Sequence, residues 1–228
     1  MGFILSGSFT SVKGNVAGVL REEILKGTLN PGERIIEGKW AGKLGVAQAS
    51  VREALNLLMQ EGFVQKESGR SARVTSLSEE DVAQIYEMRS SLEGLAARLV
   101  TARRPDLTEL DQALADMHSA VLCGNMKSWC ERDLSFHLLL CEKSGNRFLL
   151  ENVRRLIVPL FAFMAVRQQS IMGNPELWHS GYDEHKRILE VLRSGDSYLA
   201  QREVEGIIHQ FTTGYSAHWV KAQERARK

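Results

Sequence analysis

The stretch Ile36–Val74 restricts this chain more than any other part of it. Gly38–Leu44 has the pattern of a short helix, Gly45 can make a tight turn, and Gln48–Glu61 reads as a longer helix with Val51, Ala54, Leu55 and Leu58 along one side. After Gly62, the segments Phe63–Lys66 and Ala72–Thr75 alternate in the β manner around a Gly69-Arg70-Ser71 tip. Upstream, Val16, Val19, Leu20, Ile24 and Leu25 keep helical spacing up to a stop at Lys26-Gly27, and Asn30-Pro31-Gly32 supplies a turn. Helix, short helix, glycine turn, helix, hairpin is the order of a winged helix-turn-helix: three helices plus a β-hairpin wing.

That order predicts double-stranded DNA as a partner, because the first helix of the pair props the second so that its N-terminal residues meet base edges in the major groove. Val46 and Leu55 can fill the space between the two helices, leaving Gln48, Ala49, Ser50 and Arg52 at the reading end. A Gln can bond bidentately to adenine, and Arg52 can take guanine or phosphate. Lys39, Lys43, Arg70 and Arg73 are candidates for phosphate or minor-groove contact. By itself Gly45-Val46 reads as readily as an ordinary corner between helices; the hairpin is the second element that tips the balance. Charge points the same way: Met1–Thr75 holds ten Lys/Arg against seven Asp/Glu, whereas Ser76–Lys228 holds nineteen against twenty-one.

From Ser78 onward the pattern changes to long amphipathic helices and no strands. Ser78 with Asp81 can cap a helix to about Arg103, with Val82, Ile85, Met88, Leu92, Leu95 and Leu99 inward. Asp106 opens the next helix, Leu107–Cys123; Gly124-Asn125 starts one to about Lys143; Asn146 caps another to about Gln169, which Pro159 should kink; Asn174-Pro175 opens a fifth; and Gly195-Asp196 precedes a sixth reaching about Val220. The expected fold class is therefore mainly α, with a winged helix-turn-helix over residues 1–75 and an all-α six-helix bundle over residues 76–228. No apolar run approaches the length of a membrane span, and a cytoplasmic protein is expected. Cys123, Cys130 and Cys141 are odd in number and lack metal spacing, which suits buried thiols of a reducing compartment.

Asp133 and His137 stand four apart on one helix and share a face. His185 lies with Ile188, Leu189 and Leu192 on the fifth helix, and His209 near Val204, Ile208 and Phe211 on the sixth. One carboxylate and three imidazoles converging in a bundle would suit Zn²⁺, Ni²⁺ or Mn²⁺, although a single His on an apolar face is more often a hydrogen-bonded core residue. Cys141, one turn beyond His137, reads as a core thiol.

Both halves resemble a known family. Asn30-Pro31-Gly32-Glu33, Lys39 to Val46, Val51-Arg52-Glu53-Ala54-Leu55, Leu58 and Glu61-Gly62-Phe63-Val64 resemble the GntR family of bacterial transcription regulators, with Ala47-Gln48 and Arg70-Ser71 where that family usually has Ser-Arg and Arg-Gly. Asp133-x-x-x-His137, Ser144-Gly145-Asn146, Glu184-His185-x-x-Ile188-Leu189 and Ile207-Ile208-His209 resemble the FCD effector domain of its FadR branch, the six helices suggesting the shorter VanR-like subgroup. The resemblance implies a homodimer on a palindromic operator, most simply a repressor, with Asp133, His137, His185 and His209 as metal ligands and a small organic acid as effector. Arg89 is the expected cation for that acid, unless it only forms a surface salt bridge with Glu93. Two alternatives differ in kind: a responder to acyl-CoA without metal, and a hydrolase using the same four ligands. A regulator rather than an enzyme is the expectation.

Overall fold

A computed structural model describes residues 12–66, 72–171 and 175–210. In chain order the elements are α1 (Val12–Leu25), β1 (Arg34–Ile35), α2 (Glu37–Leu44), α3 (Gln48–Gln60), β2 (Val64–Lys66), β3 (Ala72–Val74), α4 (Glu79–Arg103), α5 (Thr108–Leu122), α6 (Met126–Lys143), α7 (Arg147–Ile171) and α8 (Pro175–Leu192), followed by a helix over residues 197–210. The contacts divide the chain into two compact units, one running to Leu77 and including Val158–Arg167, the other formed by 78–157 and the residues from Gln168 onward.

In the first unit, Val16, Leu20 and Ile24 of α1 meet Val51, Leu55 and Leu58 of α3 in a core closed by Trp40, Phe63 and Val74. Arg21 of α1 reaches both carboxylate oxygens of Glu61 just past α3, at 2.7 Å. Burial raises the Glu61 carboxyl above its ordinary value even though Arg21 pulls the other way. The turn before α3 runs as its glycine suggests, Gly45 taking φ 64° as the left-handed end of α2. The wing is larger than a hairpin: three antiparallel strands in the order β1-β3-β2, with Arg34 opposite Arg73 and Val64 opposite Val74. A strand of two residues is too short to show alternation, which is why β1 escapes a reading of the sequence. Arg70 and the wing tip lie outside the described residues.

The second unit is helical throughout its described residues. Ser78 accepts from the Asp81 amide, and Asp81 accepts from the Ser78 amide, a complete reciprocal cap on α4. Asn125 caps α6 at Ser128, and Asn146 caps α7 at Leu149. Pro159 falls inside α7. The inward face of α4 is not the predicted one. Val82, Tyr86, Arg89, Glu93, Ala96, Ala97 and Val100 are buried, whereas Ile85, Leu92, Leu95 and Leu99 are only partly so and Met88 is 51% exposed. The two stripes lie side by side on the helix, and the buried one carries an Arg and a Glu, so apolar periodicity selects the other. The thiols also divide: Cys130 and Cys141 are buried, Cys123 is exposed. No helix among the described residues is long and apolar enough to cross a membrane.

Candidate functional site

α6 and α8 bring three of the four expected ligands together. Asp133 and His137, one turn apart on α6, face His185 of α8. Asp133 Oδ1 lies 3.1 Å from His137 Nε2 and 3.1 Å from His185 Nε2, and the two Nε2 atoms are 3.3 Å apart. His209 is exposed on the helix over residues 197–210 and is not one of the three donors that converge. Cys141 also stays out: it is fully buried, and desolvation pushes its thiol well above the ordinary range, so it is a core residue.

The far side of each imidazole decides what the near side can do. His185 Nδ1 is 2.6 Å from the Gly181 carbonyl, an acceptor only, so that nitrogen carries the proton. His137 Nδ1 is 2.5 Å from Glu93 Oε2. Burial alone would push the Glu93 carboxyl up, but Arg89 and His137 bring it down to about 2, so it too accepts. Neutral imidazoles held this way turn two bare Nε2 lone pairs toward one carboxylate oxygen. Three acceptors within 3.3 Å repel one another unless a cation or added protons lie between them. A cation about 2.0–2.1 Å from each donor spaces neighbouring donors about 3.0–3.4 Å apart, and that is the spacing present. The donor set therefore fits a divalent transition metal.

Neighbouring side chains hold the two rings in place. Phe136 and Trp129 set their edges against the His185 ring at 4.9 and 6.1 Å between centroids, and Trp129 lies where a Cβ on Gly181 would be, 2.9 Å away. Arg89 donates its Nε–H to Glu93 Oε1 at 2.8 Å and packs over the Tyr86 ring. The i+4 partner expected from the sequence is thus present, but the pair is not on the surface: Arg89 is 3% exposed and Glu93 not at all. Glu93 is the site residue that sequence reasoning missed. Its only signal is its spacing, four after Arg89 and seven after Tyr86, on the stripe that also holds Ala97 and Val100.

At the other end of the chain, the residues expected to read DNA line the start of α3. Gln48 and Ala49 are exposed, Ser50 is half-buried, and the Arg52 side chain is 63% exposed. Glu37 of α2 accepts from Gln48 Nε2 at 3.2 Å and from Arg52 Nη2 at 2.8 Å, which lowers its own carboxyl. Lys39 is exposed, and Lys43 lies over the Trp40 ring and 3.3 Å from Glu23. Arg73 is partly buried and donates to the Gly32 carbonyl.

The model of bacterial regulatory proteins of the gntR family matches residues 13–74, and that of the FCD domain matches residues 84–210. The chain belongs to the GntR family. It is 32% identical over 188 residues to an uncharacterized HTH-type transcriptional regulator, YdhC, of Bacillus subtilis, spanning 81% of this chain and 82% of that one. It is 26% identical over 193 residues to a D-xylose utilization operon transcriptional repressor, named as probable, of Paenarthrobacter nicotinovorans, spanning 84% and 83%. The fold matches Escherichia coli McbR/YncC with a TM-score of 0.68 at 22% identity, over 93% of this chain and 99% of that one. As a GntR-family protein it is a bacterial transcriptional regulator and not an enzyme, which removes the hydrolase reading. Its winged helix is a DNA-binding element and its FCD domain implies a small-molecule effector.

Proposed function

We propose that this GntR-family protein is a dimeric repressor whose grip on a palindromic operator depends on a divalent metal and a small organic acid held in the helical unit. The observation that carries the proposal is the convergence of Asp133 Oδ1, His137 Nε2 and His185 Nε2 within 3.3 Å, with each imidazole's other nitrogen committed elsewhere. Zinc, nickel and manganese all accept such a donor set. A bound cation supplies a positive centre with open positions, and the charges around it favour an anion there. Arg89 and Glu93 neutralise each other, and Asp133 balances one of the cation's two charges, leaving one for a carboxylate. Arg89 takes part through its field, which reaches Asp133, while its Nε–H is held by Glu93. Repression agrees with the relative named for D-xylose utilization. Dimerisation is supported by the Ile85, Met88, Leu92, Leu95 and Leu99 stripe of α4, apolar yet incompletely covered within one chain.

The reading is tested by selecting duplexes from a random library with the purified protein, then repeating the shift assay after chelation and with a panel of small carboxylates. Recovery of a palindrome, a change in affinity on chelation, and release by at least one carboxylate are expected. A protein that selects no palindrome, or whose affinity ignores both treatments, is not the regulator proposed. An acyl-CoA that releases DNA from metal-free protein would favour the other mode of control.

A further inference from the structure

Among the described residues, Glu93 is a fully buried carboxylate that touches a candidate metal ligand without joining the donor set. One oxygen receives the Arg89 Nε–H, the other faces His137 Nδ1. We infer that Glu93 is the positioning residue of this centre: it fixes which His137 nitrogen bears the proton and how the ring is turned, so that Nε2 meets Asp133 and His185 as a ready donor. This rests on the metal reading above and extends it from the ligands to the residue behind one of them.

An imidazole on a helix can rotate about its χ2 bond and carry its proton on either nitrogen, and only one of those arrangements offers Nε2 as a donor. For His185 the backbone decides, because the Gly181 carbonyl is four residues away on the same helix. For His137 the carboxylate facing Nδ1 comes from α4, 44 positions earlier. A neutral Gln or Ser would also accept, but more weakly than an ionised carboxylate, and an ionised carboxylate at zero exposure needs a cation beside it. Arg89 is that cation, which accounts for a buried Arg–Glu pair on an otherwise apolar stripe. Removing such outer partners of metal-bound His costs about 10–100-fold in metal affinity.

The rival explanation is that Glu93 only neutralises Arg89. Glu93→Leu alone does not separate the two, since it leaves Arg89 buried without its carboxylate and destabilises the fold whichever role Glu93 has. Arg89→Met/Glu93→Leu does, because it removes both charges and keeps the volume. The full-length protein, stripped with chelator, is titrated with Co²⁺, reading the visible absorption of the bound ion and the affinity by competition with a chelator; folding is checked by circular dichroism. Wild type should bind one Co²⁺, and His185→Ala should abolish it. The double variant should fold, bind Co²⁺ about 10–100-fold more weakly and show an altered visible band, with Glu93→Gln in between. If the folded double variant binds Co²⁺ with wild-type affinity and spectrum, Glu93 is only a counter-ion and the inference is wrong. Should the double variant not fold, Glu93→Gln decides: wild-type affinity and spectrum there overturn the inference, and a weakened, altered site supports it. A wild-type protein that binds no Co²⁺ overturns the metal reading itself, and this extension with it.

Discussion

An oxygen atom is missing at the start of α3. Ala47 occupies the cap position in extended geometry, φ −65° and ψ 144°, and makes no side-chain bond to the amides beyond it. Ala47→Ser puts a hydroxyl there at no steric cost, since the residue is exposed, and should stabilise the protein by about 1 kcal/mol in urea unfolding. No change or a loss would mean that the amides are satisfied in another way. This gap was legible in the sequence, because a cap is a local choice of one residue. Glu93 was not. Read by eye, an Arg and a Glu four apart signify a solvated helix face, and only the neighbours from α6 turn the pair into the support of a buried imidazole. The same limit explains His209: its helical spacing resembles that of a ligand, but spacing along one helix does not say how that helix is rotated against another.

Among the elements, the α2 turn and the α1–α3 clasp can be tested separately. Gly45 holds φ 64°, and a Cβ there would meet nothing within 4 Å, so Gly45→Ala isolates the backbone cost, about 1 kcal/mol, while Gly45→Asn should lose less. Equal losses for the two would point to a steric cause that the structure does not contain. Arg21→Ala should be worse, about 2–4 kcal/mol, because Glu61 remains mostly buried and its carboxyl is already raised by burial despite the arginine. Arg21→Met/Glu61→Leu should recover most of that loss; a double variant less stable than Arg21→Ala would show that the pair contributes more than it costs to bury. Among the described residues most helices and their stops were readable because caps and glycines are chemical signals within a few residues, whereas the expected end of the sixth helix near Val220 lies outside the described residues. The rotation of α4 was not readable, since two adjacent stripes competed and the buried one has its apolar residues interrupted by Arg89 and Glu93.

At the scale of the whole molecule, the buried cluster links pH to stability. Burial alone would lower the His137 pKa, but Glu93 raises it overall; in metal-free protein its contribution is therefore complete below the ordinary value of 6.5 and fades as pH rises through the raised one. Glu93 is depressed to about 2, so its contribution is complete above the ordinary 4.5 and is lost as pH falls toward 2. A metal needs both imidazoles unprotonated, so the gap in melting temperature between cobalt-loaded and chelated protein should widen steadily from about pH 5 to about pH 8. A gap that does not vary with pH would argue that the ion binds elsewhere. The division of the thiols extends this to kinetics. Cys123 lies open at the end of α5, whereas Cys130 and Cys141 are enclosed on α6, the helix that carries Asp133 and His137. A thiol reagent should therefore take one equivalent at once and two more only as fast as α6 is uncovered. The slow phase times the breathing of that helix from within the native sequence, without an added label, and an ion or effector seated on α6 should lengthen it.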